Sequence, residues 1–198
     1  KNCGLASAFM IGIEEALDQG ADVIVNTDAD NQYDARDIPL LTAPILAGDA
    51  EMVIGARPVA DIQHFSSAKK FLNRLGSAVV RTVSGTDIPD APSGFRAYSR
   101  GAAKRINVFS QYTYTIETII QAGIKNISVI SVPVRVNEDL RPSRLVKSIP
   151  SYIRRSLLTI IRIFVVYRPF RFFAAIGSML VMAGALIGVR FIFYYFMG

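Results

Sequence analysis

The chain has 198 residues, enough for one domain of ordinary size plus an appendage, and its net charge of +6 hides a sharp split. Residues 1–139 carry 13 basic and 16 acidic side chains, a balance of −3, whereas residues 140–198 carry nine basic and no acidic ones, a balance of +9. A nucleic-acid arm of that charge would be polar; this one is rich in Ile, Leu, Val and Phe, so nucleic acid is set aside as a partner in favour of anionic lipid.

Cys3 and His64 are the sole cysteine and histidine. An intrachain disulfide is therefore excluded, Cys- and His-rich metal sites are disfavoured, and Ser-His or Cys-His catalysis would need a partner outside these residues. If phosphates or metals are handled here, carboxylates and arginines must do it. Residue 1 is Lys, and the text opens inside a helical pattern, so the chain is expected to lack its true N-terminus.

Residues 4–18 place Leu5, Phe9, Ile13, Ala16 and Leu17 at helical spacing, with Gly20 at the stop. Residues 22–27 form a short apolar run that reads as a buried parallel strand. Asp37 before Ile38-Pro39 reads as the N-cap of a helix through about Leu46. Residues 52–55 give a second buried strand, 67–84 a helix with a basic face, and the Gly-, Pro-, Asp- and Ser-rich stretch 85–94 a loop. A short strand is expected at 95–98, a helix at 113–122 ended by Gly123, and extended structure at 127–130 and 132–136. Strand and helix alternate, so the class is α/β with a mostly parallel sheet and helices on both faces.

From Ser148 to Val166, apolar residues recur every three or four positions while Lys147, Arg154, Arg155 and Arg162 share one side. A basic amphipathic helix of this kind lies in a membrane interface. Phe172 to Val189 is an uncharged run of 18 residues, about 27 Å of helix at the usual rise, close to the ~30 Å of a bilayer core. Arg168, Arg171 and Arg190 flank it, and Tyr167, Tyr194 and Tyr195 fall where interfacial belts form. A membrane-spanning helix is expected, with the arginines before it held in the cytosol. Three regions follow: a partial catalytic domain at 1–140, a loop and interface helix at 141–171, and a transmembrane segment at 172–198.

The chemistry is expected at Asp28-Ala29-Asp30, which follows the strand at the edge where open α/β sheets bind ligands. Carboxylates two residues apart on a chain leaving a strand can converge on a hard cation, Mg²⁺ or Mn²⁺, shared with phosphate oxygens. Aspartate-nucleophile phosphatases also place D-x-D after a hydrophobic strand, but they usually carry Thr or Val two residues past the second Asp, where this chain has Gln32.

Asn2-x-Gly4, D-A-D-N-Q (28–32), G-A-R (55–57), D-A-P-S-G-F-R (90–96) and R-P-S-R-L (141–145), in that order, resemble glycosyltransferase family 2, and within it the dolichyl- and polyprenyl-phosphate sugar synthases. The resemblance spans residues 2–147. It implies a GT-A (Rossmann-like) fold and inverting transfer of a sugar from a nucleotide diphosphate to a polyprenyl phosphate at the membrane. By motif, Asp28, Asp30 and Gln32 hold the metal and donor diphosphate, and Asp90, with Asp87 as competitor, is the acidic residue facing sugar and acceptor. Arg57, Lys69, Asn73, Arg141 and Arg144 are expected at the acceptor phosphate. Arg96 is a supporting residue expected to pair with a carboxylate, and Glu117 a structural support.

Two positions depart from the family pattern. Pro142 replaces the usual Gly between the Arg and Ser of the phosphate loop, and Asn31 stands where Leu is frequent. A processive polysaccharide synthase of the same superfamily would carry Q-x-x-R-W, and the chain has no tryptophan. A transferase with a glycolipid or protein acceptor, which needs a true general base, and an inactive membrane scaffold are the remaining alternatives. Sugar, nucleotide and oligomeric state are not legible.

Overall fold

Four short strands, each too apolar to face water on both sides, form one mixed sheet in the order β1-β3-β2-β4. They are β1 (Val23–Asn26), β2 (Met52–Ala56), β3 (Arg96–Ser99) and β4 (Val129–Pro133). The computed structural model describes residues 4–28, 30–58, 67–108, 114–137, 158, 161–162 and 165–197, in two compact units, Lys1–Ser156 and Leu157–Gly198. Arg141, Arg144, the side chain of Lys69 and most of the expected amphipathic helix lie outside the described residues.

Three of the four strands point the same way, as the α/β reading expects, and β3 is reversed. It pairs antiparallel with both β1 (Asn26↔Arg96) and β2 (Ile54↔Arg96), while β4 adds parallel to β2. The reversal has a geometric consequence: the start of β3 lies beside the carboxyl ends of β1 and β2. Loop 85–94 therefore arrives at the edge where Asp28 and Arg57 leave the sheet.

Side chains alternate across β3 with the period of two that a strand imposes. Phe95 and Ala97 join Tyr33, Leu41, Val53 and Val134 in a core under α2 (Ile38–Leu46). Tyr98 turns to the other face and meets Phe9 of α1 (Leu5–Asp18), with ring centroids 5.9 Å apart. α3 (Ser67–Ser84) packs on α5 (Thr115–Ile124), and between them in sequence lies α4 (Arg100–Arg105). The periodicity did not announce α4, which is under two turns long; Ser99 caps it, its hydroxyl accepting from the Ala102 N–H at 3.1 Å.

Two expected termini are built otherwise. Asp37 occupies the N-cap position of α2 but makes no side-chain capping bond. Its buried carboxylate instead accepts from the Arg135 N–H at 2.7 Å and from that arginine's guanidinium, a charge-assisted pairing stronger than a cap to one neutral amide. Gly123 does not end α5; the chain turns out through Asn126, at φ 51°. Gly123 is there for space: a Cβ would sit 1.9 Å from the Ser84 carbonyl oxygen.

The second unit contains α6 (Pro169–Met197), with a mean hydropathy of 2.2 over its most apolar 18 residues. By length and composition it is able to cross a membrane, and none of that window is buried within the protein.

Gly123→Ala offers a test of the α3–α5 contact. Alanine favours a helix by ~1 kcal/mol over glycine, but the clash is with backbone and overpacking costs about 1–3 kcal/mol or more. Net destabilisation is expected, read as a lower urea midpoint of the full chain in detergent by circular dichroism; an unchanged or higher midpoint would show that the helices are not packed this closely.

Candidate active site

β1 ends at Asn26, and Thr27 and Asp28 leave from its carboxyl edge. The Asn26 amide donates to the Gly94 carbonyl oxygen and to the Tyr114 hydroxyl oxygen, both at 2.8 Å, tying the strand end to the arriving loop. Asp28 lies against that loop so closely that a Cβ on Gly94 would be 2.3 Å from Asp28 Oδ2. A side chain at this position would push the carboxylate off the peptide. The Gly94 N–H donates to the Tyr33 hydroxyl at 3.1 Å, so this peptide is held on both sides.

Asp28 is half-buried, and its carboxyl pKa is raised, first by loss of hydration and then by the negative charge of Asp30. Tyr114, Arg57 and Arg96 offset part of that rise. Asp30 is exposed, and its Oδ1 accepts the Gln32 N–H at 3.0 Å, closing a tight turn. The residue between them, Asn31, sits at φ 63°. Asparagine visits this left-handed region far more readily than leucine, which gives a physical reason for the departure at this position.

Behind the acidic pair stands a buried ion pair. Arg57, the first residue beyond β2, donates through Nε to Asp90 Oδ2 at 2.7 Å and through Nη2 to Asp90 Oδ1 at 2.9 Å. Its backbone N–H adds a third bond to Asp90 at 3.1 Å, and Asn73 of α3 donates to Asp90 Oδ1 at 3.2 Å. Burial works against the Arg57 charge, but the bonds and charge of Asp90 outweigh it and its pKa is raised overall. The remaining terminal nitrogen, Nη1, donates to Gln32 Oε1 at 3.1 Å, linking the D-x-D turn to the G-A-R motif. Asp28, Asp30, Gln32, Arg57, Asn73 and Asp90 thus form one neighbourhood.

The other expected residues sit differently. Asp87 is exposed on the loop after α3. Arg96 is fully buried and does not pair with a carboxylate: its guanidinium donates to the carbonyl oxygens of Ser93, Ala91 and Thr115 and to Thr118 Oγ1, at 2.6–2.7 Å. Its role is to staple loop 91–93 to the start of α5. Glu117 is buried on α5, where its carboxylate accepts from the Gln121 amide at 3.5 Å.

Sequence reasoning missed Asn26, Tyr33, Ser93 and Tyr114. Tyr114 stacks on Phe9, with centroids 4.2 Å apart and planes 8° from parallel, and its hydroxyl stands 3.4 Å from Asp28 Oδ1. Its pKa is raised by burial and then by the Asp28 charge, so the hydroxyl keeps its proton. The motif around Gly94 pointed at this region, but nothing local marked Tyr114.

Among the described residues, no group of three or more His, Cys, Asp or Glu side chains makes a self-contained metal site. The pair Asp28 and Asp30 supplies part of a shell of hard oxygens, with a mutual repulsion that a cation would relieve. This donor set fits Mg²⁺ or Mn²⁺, which share their remaining positions with water and phosphate oxygens.

The architecture is that of GT-A-like folds. A structure of glucosyl-3-phosphoglycerate synthase from Mycobacterium tuberculosis superposes with a TM-score of 0.56 at 19% identity, covering 79% of this chain and 55% of that one. Another, bound to Mn²⁺, UDP-glucose and glycerol 3-phosphate, superposes with a TM-score of 0.54 at 18% identity and the same coverage. The description Glycosyl transferase family 2 matches residues 1–106, and the chain belongs to that family. It is 29% identical over 140 residues to UDP-N-acetylglucosamine–dolichyl-phosphate N-acetylglucosaminyltransferase of Methanococcus voltae, a match covering 68% of this chain and 56% of that protein. It is 25% identical over 149 residues to undecaprenyl-phosphate mannosyltransferase of Micrococcus luteus, covering 72% and 60% respectively. The chain therefore spans little more than half the length of these curated relatives.

The Arg57–Asp90 pair is open to direct test. Removing one partner of a buried ion pair costs about 3–5 kcal/mol, because the other charge stays desolvated. Arg57→Met should therefore lower the unfolding midpoint of the full chain severely, and Arg57→Lys, which keeps charge but loses the two-point fork, should fall between it and the parent. Equal midpoints for all three would mean that the pair is not buried.

Proposed function

We propose that this chain is the donor- and acceptor-handling part of a metal-dependent inverting glycosyltransferase. In this reading it moves a sugar from a nucleotide diphosphate onto a polyprenyl phosphate at the cytoplasmic face of a membrane. The observation that carries the reading is the juxtaposition of Asp28 and Asp30, repelling one another at a strand end, with a buried Arg57–Asp90 pair linked to the same turn through Gln32. The names of the relatives, which act on dolichyl and undecaprenyl phosphates, support the acceptor class. The apolar helix α6 supports the location.

Asp28 and Asp30, backed by Gln32, would hold Mg²⁺ or Mn²⁺; when bound, the ion offsets the charge that grows on the departing nucleotide diphosphate. An acceptor phosphate is already ionised near neutral pH, so its oxygen attacks the anomeric carbon without first losing a proton to the protein. The new C–O bond forms as the bond to the nucleotide diphosphate breaks, and the leaving group takes the electron pair. Asp90 is accordingly an orienting group rather than an indispensable base: both of its oxygens are already held by Arg57 and Asn73. Asp87 is the competitor for a base role.

Arg57 contributes three of its five guanidinium N–H groups to Asp90 and Gln32. Two remain for an acceptor phosphate oxygen. Lys69, Arg141 and Arg144 complete the proposed acceptor contacts, Arg141 and Arg144 from the basic stretch that leads to α6.

The test uses full-length enzyme in membranes, with labelled nucleotide sugars and extraction of lipid-linked product. Asp30→Asn should cut transfer by about 100-fold or more, in line with loss of a transition-state charge contact, while leaving the fold intact; undiminished turnover sinks the metal role. Arg141→Ala should raise KM for the lipid phosphate more than KM for the donor, and equal changes would remove that loop from the acceptor site.

A further inference from the structure

Asp28 lies against the Gly94 peptide, and two side chains that bear on its orientation, Asn26 and Tyr114, lie outside every motif noted in the sequence. The Asn26 amide donates to the Tyr114 hydroxyl oxygen at 2.8 Å. A phenol carries one proton, so an oxygen that accepts from Asn26 is left to donate that proton elsewhere. Two acceptors lie within reach: Asp28 Oδ1 at 3.4 Å and the Gly94 carbonyl oxygen at 3.5 Å. The Gly94 carbonyl already receives the other bond from Asn26, at 2.8 Å, and it is neutral. The ionised carboxylate is the stronger acceptor. The phenol is fixed for this task by its stack on Phe9 and its 1% exposure, and the floor under Asp28 is the Gly94 peptide, held at its N–H by Tyr33 and at its carbonyl by Asn26.

We propose that Tyr114, with its hydroxyl directed by Asn26, is a positioning residue that engages one oxygen of Asp28, so that this carboxylate offers a divalent cation a single oxygen and the site selects small octahedral ions over Ca²⁺. The inference rests on the reading of Asp28 and Asp30 as metal ligands. Its physical basis is the difference between the ions. Ca²⁺ takes six to eight oxygens and readily uses both oxygens of one carboxylate, whereas Mg²⁺ demands a near-ideal octahedron of single oxygens. A hydroxyl on Oδ1 competes with two-oxygen binding and leaves one-oxygen binding intact. The 3.4 Å separation is long for a hydroxyl–carboxylate bond (~2.7 Å). Such contacts commonly tighten when the ligand arrives. Partners that orient a metal ligand in this way typically contribute about 10–100-fold to metal affinity.

The experiment measures metal binding by the full chain in detergent without nucleotide or sugar. Mn²⁺ is titrated by loss of the free-ion paramagnetic resonance signal, and Ca²⁺ by its competition against Mn²⁺. Tyr114→Phe keeps the ring and its stack on Phe9 and removes only the hydroxyl. It should weaken Mn²⁺ by about tenfold and leave Ca²⁺ unchanged or tighter, so that the Mn²⁺-over-Ca²⁺ preference collapses. Asn26→Ala, which removes the donor that directs the phenol proton, should shift the preference the same way and serves if Tyr114→Phe does not fold. A preference that stays at the parent value in the folded variants overturns the proposal while leaving the metal reading intact. If the parent chain binds no Mn²⁺, or Asp30→Asn binds it as well as the parent does, the metal reading and this inference fall together.

Discussion

The site depends on one buried charge pair, Arg57 with Asp90. A carboxylate and a guanidinium are stable out of water only when each satisfies the other, and here three bonds from Arg57 and one from Asn73 account for both Asp90 oxygens. The pair joins the end of β2 to the loop before β3, and the third helix to both. Its geometry is available because β3 runs against its neighbours. A parallel strand in that position would have delivered loop 85–94 to the opposite edge of the sheet, away from Asp28.

Arg96 does for the backbone what Arg57 does for the carboxylate. A fully buried guanidinium that donates to carbonyl oxygens and a threonine hydroxyl is an unusual use of a charge, and it fits a loop whose carbonyls need partners away from water. Together the two arginines hold residues 90–96 rigid from both sides. Gly94 can then present a flat peptide to Asp28 without a side chain intervening. The acidic pair gains from this rigidity because its two charges repel: a mobile loop would let Asp28 swing away from Asp30, and the arrangement that suits a cation would be lost.

The chain joins two segments of different chemical character. Residues 1–139 are balanced in charge and bury an ordinary core, whereas residues 140–198 are basic and include a helix of 29 residues with no buried face. A phosphate on a long isoprenoid tail carries the same two properties, an anionic head and a hydrocarbon body. Cationic groups leading to an apolar span match both ends of such a substrate, which is the sense in which composition and proposed acceptor agree.

Local pattern was enough for the strands, for most helices and for the order of D-x-D, G-A-R and S-G-F-R, because apolar periodicity and short motifs are properties of neighbours in the chain. It was enough, too, for an apolar helix past residue 169, since a long uncharged run reads the same in any context. The reversal of β3, the preference of Asp37 for Arg135 over a capping role, the use of Arg96 on carbonyls and the place of Tyr114 beside Asp28 were decided only in three dimensions. Most of these bring together groups distant in sequence, 86 residues apart for Tyr114 and Asp28 and 98 for Arg135 and Asp37. The winning partner in each case is set by burial and charge at the contact, and neither quantity exists until the sheet has formed.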